Sequence, residues 1–288
     1  MLKISGYSKF PQDFMRDTDY EMDHQLDTSS LDLEPHYHEF YEIQYFISGN
    51  MNYIVGDKVY HLQTDDLLII PPNVMHNPIF SDFRVPYERY VTWVTRPALQ
   101  ALLSIDPELE TSFEKINSER YLLRKPPMLM SGFRAMYVSL EYTRSQQYPL
   151  FLAQLKALTL QLLVEYTQAL ANDSAAVQGG VRDTPLAHVL HYIQDHITED
   201  LSLDTVSRRF LIDRFNLSHM FKNNMGVSYY QYVLQQRLLL GKSLLTEGAP
   251  ANRVCFQCGF HDYSSFFRAF KKKYGLSPAQ YQKQAAGD

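Results

Sequence analysis

Four side chains able to hold a metal ion or clasp a polar ligand stand early in the chain. His36, His38 and Glu42 have the spacing His-x-His-x-x-x-Glu, and His76 closes the run Pro71-Pro-Asn-Val-Met-His76. Residues two apart on a strand share a face, so His36, His38, Phe40 and Glu42 are expected to point into one interior. Imidazoles with one carboxylate suit Fe, Mn, Ni or Zn and leave coordination positions open. The same set can instead bind a small effector, or pair internally as buried histidines. At the other end, Cys255 and Cys258 form a single Cys-x-x-Cys, and the chain has 2 cysteines in all. A structural zinc takes four ligands, so helix packing is the expected role of this pair.

These groups need a scaffold, and 288 residues are enough for two domains. A hydrophobic share of 45%, with 21 Tyr and 17 Phe, excludes a disordered or collagen-like chain. The most apolar runs, Leu67–Pro72 and Leu238–Leu240, fall far short of the roughly 18 residues of a membrane span. Met1 to Phe14, interrupted by Ser5, Gly6, Ser8, Lys9 and Pro11, lacks the form of a signal peptide. A cytoplasmic protein is expected. From His36 to about Trp93, short alternating runs (Glu42–Ile47, Met51–Val55, Lys58–Leu62, Leu67–Ile70, Tyr90–Val94) are cut by Gly, Asn, Asp and Pro turns, the spacing of a β-sandwich or barrel. Segments 128–146 and 149–171 have helical spacing and are expected to form an antiparallel pair that dimerises the chain. Residues 172–183 are polar and rich in Gly, Ser and Ala, a linker between a 1–171 domain and a 184–288 domain. Phe10, Pro11 and Phe14 suggest that residues 1–30 form an arm closing over the first domain's interior. Charge divides the same way: residues 181–288 carry 13 Lys and Arg against 9 Asp and Glu, and residues 1–180 carry 14 against 23. The basic half has the sign needed for phosphate contact.

The C-terminal half repeats itself. Asp213, Phe221, Lys222, Gly226, Ser228 and Tyr232 recur 49 positions later as Asp262, Phe270, Lys271, Gly275, Ser277 and Tyr281. Each copy has an Asp at an N-cap, a helix with one apolar stripe and a Gly able to end it. A shorter helix precedes each, Leu203–Phe210 or Pro250–Cys258, making two helix-turn-helix units in tandem. Between them, Ser228 to Leu245 predicts a helix of roughly 27 Å at 1.5 Å per residue, close to one turn of B-DNA. The second helices are thereby expected to enter successive major grooves.

Gly259-Phe-His-Asp-Tyr-Ser-Ser-Phe-Phe-Arg-Ala-Phe-Lys-Lys-Lys-Tyr-Gly-Leu-Ser-Pro-Ala-Gln-Tyr281 resembles the signature of AraC-family transcription regulators, and Leu217–Gly226 with Arg237 resembles its upstream half. The resemblance implies an α+β protein: a cupin-like N-terminal barrel with a helical pair, then an all-α double helix-turn-helix domain. It implies base-facing roles for Tyr263, Ser264, Ser265, Phe267 and Arg268, and for Arg214, Phe215, Ser218 and His219, with Lys222, Lys271 and Lys272 near phosphates. A mid-helix Arg268 can grip guanine O6 and N7 through its fork of donors. Ser207 stands where the family usually has Ala, and His219 where it often has Arg. The His36 to His76 set resembles the two cupin motifs, without the opening Gly of the first and with Asn73 in place of the usual Gly of the second. By the same resemblance the interior takes a small effector such as a sugar, with His36, His38, Glu42, Tyr53, His76 and Trp93 around it. The single Trp93 would stack beneath the sugar or serve the core, and Tyr37, Tyr41 and Tyr53 carry the same ambiguity. The implied partners are double-stranded promoter DNA, RNA polymerase and a second copy of the chain, with no cofactor and no catalysis. A metal-dependent cupin enzyme fused to a DNA-tethering domain is the alternative, with His36, His38, Glu42 and His76 as ligands.

Overall fold

Short alternating runs separated by Gly and Pro turns favour strands, and the computed structural model folds them as antiparallel sheet. It describes residues 15, 19–29, 35–113, 121–124, 127–171 and 184–285. Two compact units result, Met1–Asp183 and Thr184–Asp288. The strands are β1 (Tyr20–Asp27), β2 (Tyr41–Ser48), β3 (Asn50–Val55), β4 (Lys58–His61), β5 (Leu67–Ile70), β6 (His76–Asp82), β7 (Tyr87–Val94) and β8 (Leu122–Leu123). One sheet has the order β1-β7-β2-β5-β8 and the other β4-β3-β6. Strand β5, four apolar residues buried on both faces, lies inside the larger sheet, as its unbroken apolar run requires.

Helices α1 (Arg96–Leu103), α2 (Pro107–Phe113), α3 (Pro127–Ser145) and α4 (Phe151–Ala171) complete the first unit. Tyr137 on α3 and Leu162 and Tyr166 on α4 join Tyr45 and Tyr90 of the sheet in one buried cluster. Contacts that tie α3 to the sheet include Tyr90 donating to Glu141 at 3.0 Å, His24 standing 3.2 Å from Glu141, and the Thr92 and Tyr137 hydroxyls meeting at 3.3 Å. The expected arm needs correction over residues 20–27. They pair along their whole length with β7, and Asp27 forms a buried ion pair of 2.5 Å with Arg89. Tyr20, Met22, His24 and Leu26 alternate as a strand should, so the pairing has a sequence basis. Phe10, Pro11 and Phe14 lie outside the described residues, as does the expected 172–183 linker.

The second unit is all-helical: α5 (Pro185–Asp195), α6 (Leu203–Phe210), α7 (Arg214–Met225), α8 (Tyr229–Thr246), α9 (Ala251–Gln257), α10 (Tyr263–Tyr274) and α11 (Pro278–Ala285). The repeat is visible in its caps. Asp213 and Asp262 accept from the backbone N–H of Asn216 and Ser265, and Gly226 and Gly275 end α7 and α10 in the left-handed region at φ of 71° and 75°. Phe266 and Phe270 pack with Leu238, Leu245, Val254, Cys255 and Cys258. Both thiols are free, and burial pushes Cys258 up to about 12, which leaves it an inert core thiol. Arg237 of α8 donates from Nε to Ile197 O at 3.1 Å and from its guanidinium to Glu199 O at 2.7 Å. Gly259 makes room for this crossing, because a Cβ there would lie 2.6 Å from Ile197 O and 2.8 Å from Arg237 Nε. Arg237 thus ties α8 to the segment between α5 and α6, with the Gly259 turn packed close against it.

Candidate functional site

Strand pairing begins the first site. Glu42 on β2 and Trp93 on β7 are cross-strand partners, and the Trp93 indole N–H donates to Glu42 Oε2 at 2.8 Å. His38 reaches the same carboxylate, though not along a shared strand face. Residues 36–40 precede β2 and bend at Glu39 and Phe40, which corrects the strand expectation for His36, His38 and Phe40. A local bond explains the bend: His38 Nδ1–H donates to the Phe40 carbonyl at 2.8 Å while its ring stacks on Phe40 at 4.0 Å. His38 Nε2 then stands 3.3 Å from Glu42 Oε2.

His76 arrives from the other sheet. It opens β6 and exchanges two backbone hydrogen bonds with His36, of 3.2 and 2.9 Å, while its Nδ1–H donates to Val74 O at 2.9 Å. Asn73 N–H donates to His38 O at 2.8 Å, and Asn73 sits at φ 64°. Asn tolerates this left-handed conformation, so the departure from Gly preserves the turn that delivers His76. His38, Glu42 and His76, all buried, hold their donor atoms within 4.8 Å of one another. His36 stays outside that trio with its ring 4.2 Å from His76, so three ligands converge where four were expected. Tyr53 stacks over the trio's edge, its ring centroid 6.4 Å from His76. Trp93 packs edge-on to Phe40 at 6.4 Å.

A carbonyl oxygen only accepts, so the Nδ1 contacts fix a proton on Nδ1 of both His38 and His76. In the neutral rings Nε2 is then a lone pair. Burial, with His36 and His38 beside it, drives His76 well below the ordinary histidine value, which keeps it neutral. Burial acts to raise Glu42, but His38, His76 and the Trp93 N–H outweigh it and hold the carboxyl well below the usual range. The Nε2 atoms of both His38 and His76 are buried without a hydrogen-bond partner. Each such group costs about 1–3 kcal/mol when nothing compensates it.

The second candidate site is the outer surface of α7 and α10. On α7, Arg214, Phe215, His219 and Lys222 are exposed and Ser218 is half-buried, while Leu217, Phe221 and Met225 turn inward. On α10, Tyr263, Ser264, Arg268, Lys271 and Lys272 are exposed, Ser265 and Phe267 are half-buried, and Phe266 and Phe270 turn inward. Several of these groups already have partners. Arg214 pairs with Asp204 at 3.2 Å, Lys222 donates to Gly226 O at 2.7 Å, and His219 Nδ1 meets Asn223 Nδ2 at 2.8 Å. The Ser265 hydroxyl donates to Asp262 at 2.8 Å, which commits it to the cap. Sequence reasoning passed over an open concavity of about 840 Å³ between α6 and α7, lined among others by Arg208, Leu211 and Phe215. Leu211 ends α6 in the left-handed region and is 94% exposed, and Phe215 is 73% exposed. The signal was the apolar pair Leu211 and Phe215 four apart beside Arg208-Arg209.

Two family models match. The AraC-like ligand binding domain covers residues 27–163, and a helix-turn-helix domain covers residues 206–284. The chain is 30% identical over 191 residues to the "Probable transcriptional regulator LumQ" of Photobacterium leiognathi, covering 62% of this chain and 77% of that one. It is 27% identical over 148 residues to the "HTH-type transcriptional activator RhaS" of Escherichia fergusonii, covering 51% of this chain and 52% of that one. Among solved structures it resembles the DNA-binding domain of AdpA in complex with a target DNA, at 26% identity and a TM-score of 0.35, over 36% of this chain and 96% of that one. With an AraC-like ligand-binding domain followed by its helix-turn-helix domain, the chain belongs to the AraC family of DNA-binding transcription regulators.

Proposed function

We propose that the chain is a cytoplasmic, sequence-specific activator whose hold on promoter DNA is set by a small effector, such as a sugar, in the first unit. One observation carries the DNA part: two helices with matched caps, α7 and α10, each expose a polar face and are joined through the 18-residue α8. Arg268 and Tyr263 read bases from α10, Phe215 and His219 read from α7, and Lys222, Lys271 and Lys272 set register on phosphates. Ser264, Phe267, Arg214 and Ser218 line the same faces, with Ser265 supporting α10 from its cap. Three lysines in the last turn of α10 also complement its dipole.

The effector contacts His36, His38, Glu42, Tyr53, His76 and Trp93. Coupling runs through β7, whose Trp93 faces this site while Tyr90 and Thr92 bond α3. An effector that binds one arrangement of β7 and α3 better than another shifts the balance between them. Homodimerisation through α3 and α4 is supported by exposed Val138, Tyr142 and Leu152, and RNA polymerase is the partner that activation requires. Relatives named as regulators support this reading over a metal-dependent enzyme tethered to DNA. No helix among the described residues is long and apolar enough to cross a membrane.

The test is fluorescence anisotropy of the full chain on duplexes from the region upstream of its own gene. A specific duplex is expected to bind about 10³-fold or more tightly than a scrambled one at physiological salt. Equal affinity for both refutes the reading.

A further inference from the structure

The buried trio His38, Glu42 and His76 has a chemistry that hydrogen bonding within the protein leaves incomplete. Two imidazole Nε2 atoms and one carboxylate converge from β2, the bend before it and β6, and each imidazole is locked in orientation through its Nδ1–H by a backbone carbonyl. Metal-binding histidines are held in this way, with the distal nitrogen anchored so that the proximal one is aimed and basic. Neither Nε2 has a hydrogen-bond partner, and His38 and His76 are 3% and 0% exposed. His38 Nε2, whose ring is anchored through Nδ1, faces the Glu42 carboxylate oxygen at 3.3 Å with His76 Nε2 beside them. Such a contact calls for a cation.

We propose that His38 Nε2, His76 Nε2 and the Glu42 carboxylate bind one first-row divalent transition ion. The dimensions suit it. Zn–N and Zn–O bonds of about 2.0–2.2 Å put tetrahedral neighbours roughly 3.4 Å apart. His38 Nε2 and Glu42 Oε2 already stand 3.3 Å apart, and the trio's donor atoms, all within 4.8 Å of one another, close on an ion with a side-chain shift of about 1 Å at the widest pair. Two imidazoles and one carboxylate favour Zn, Co, Ni or Fe(II) over Ca or Mg, which take oxygen ligands. Trp93, bonded to Glu42 at 2.8 Å, orients the carboxylate, and three protein ligands leave coordination positions for an oxygen-bearing effector. His36 packs against His76 and supports the site without ligating. The proposal deepens the effector-sensing reading of the first unit and rests on it only for the role of the open positions.

Co(II) is the probe, because its visible bands report ligation directly. The full chain, stripped with chelator and dialysed, is titrated with Co(II), followed by absorbance, and the bound metal is counted by plasma mass spectrometry. One Co(II) per chain, displaced by Zn(II), is expected, together with a raised melting temperature. Glu42→Gln and His76→Ala should each weaken binding more than a hundredfold. His191→Ala, on exposed α5, should leave binding unchanged. Circular dichroism shows whether each variant folds, and if His76→Ala does not, Glu42→Gln and the wild-type stoichiometry decide. Folded wild-type chain that takes up no Co(II), Zn(II) or Ni(II) overturns the proposal. Cobalt bands that survive both Glu42→Gln and His76→Ala overturn it as well. Because the readout needs no DNA, the metal site and the DNA-binding reading fail or stand separately.

Discussion

Replacing Arg268 by Ala separates base reading from phosphate contact. Arg268 lies exposed at the middle of α10, makes no hydrogen bond or ion pair among the described residues, and feels Asp262 only through space. Its removal takes nothing from the core, so stability should stay within about 0.5 kcal/mol of wild type. A lost bidentate contact to guanine is worth about 1–3 kcal/mol of discrimination, or roughly 5- to 140-fold in affinity, felt at one base pair and not at others. Lys272, one helical turn further on, supplies the contrast. One phosphate contact changes the salt slope by about 0.9, so between 50 and 200 mM salt Lys272→Ala should lose about 3.5-fold less affinity than wild type does. The assay is anisotropy with a duplex selected from a random pool and its single-base variants, at several salt concentrations, with a melting curve for each protein. If Arg268→Ala lowers affinity equally on every duplex and flattens the salt slope, it contacts phosphate and the assigned readout is wrong.

Three further outcomes follow from particular contacts. Ser207 is buried in α6 with its hydroxyl unpartnered, so Ser207→Ala should raise the second unit's stability by about 1 kcal/mol, several degrees of melting temperature by calorimetry; a fall contradicts the unsatisfied hydroxyl. Asp27→Ala removes the carboxylate from Arg89, which is 3% exposed, and should destabilise the first unit by about 3–5 kcal/mol in urea titration, whereas a change under about 1 kcal/mol would mean that the other contacts of Arg89 compensate. Hydrogen bonds from Ser265, from its backbone N–H and then its hydroxyl, hold Asp262 below the ordinary 3.8. A carboxylate depressed in the folded state stabilises above the unfolded value, and that stabilisation disappears as pH falls through the folded value. The second unit should therefore weaken from about pH 4 downward, less steeply in Asp262→Asn, and identical acid profiles would remove the cap from the explanation.

The helical half was legible because its devices are local. The Asp caps, the terminal Gly residues and the Phe stripe all lie within one helix, and the 49-residue offset displays them twice. Helix α8 begins at Tyr229, immediately after its Ser228 cap, as the spacing suggests. The sheet was legible where short apolar runs lie between turn residues, alternating in β2 and unbroken in β5. It was opaque where a local rule misleads: Pro78 argues against a strand, yet β6 forms an edge of the smaller sheet, the one place that tolerates it. Helix α1 was passed over although Thr95 and Pro97 mark its start, with Thr95 accepting from Ala98 N–H. For the buried trio, residue types were legible and geometry was not. The bend that aims His38 depends on a side-chain bond to the backbone two residues on, and the placing of His36 depends on an isolated bridge from the segment before β2 to His76.

The central claim is that one chain presents two second helices to neighbouring major grooves, spaced by an α8 of roughly 27 Å. Hydroxyl-radical footprinting of the full chain on its selected duplex measures this directly. For each bound chain, two protected tracts about 10 base pairs apart on one face of the duplex are expected. A single tract, or two tracts on opposite faces, would contradict it.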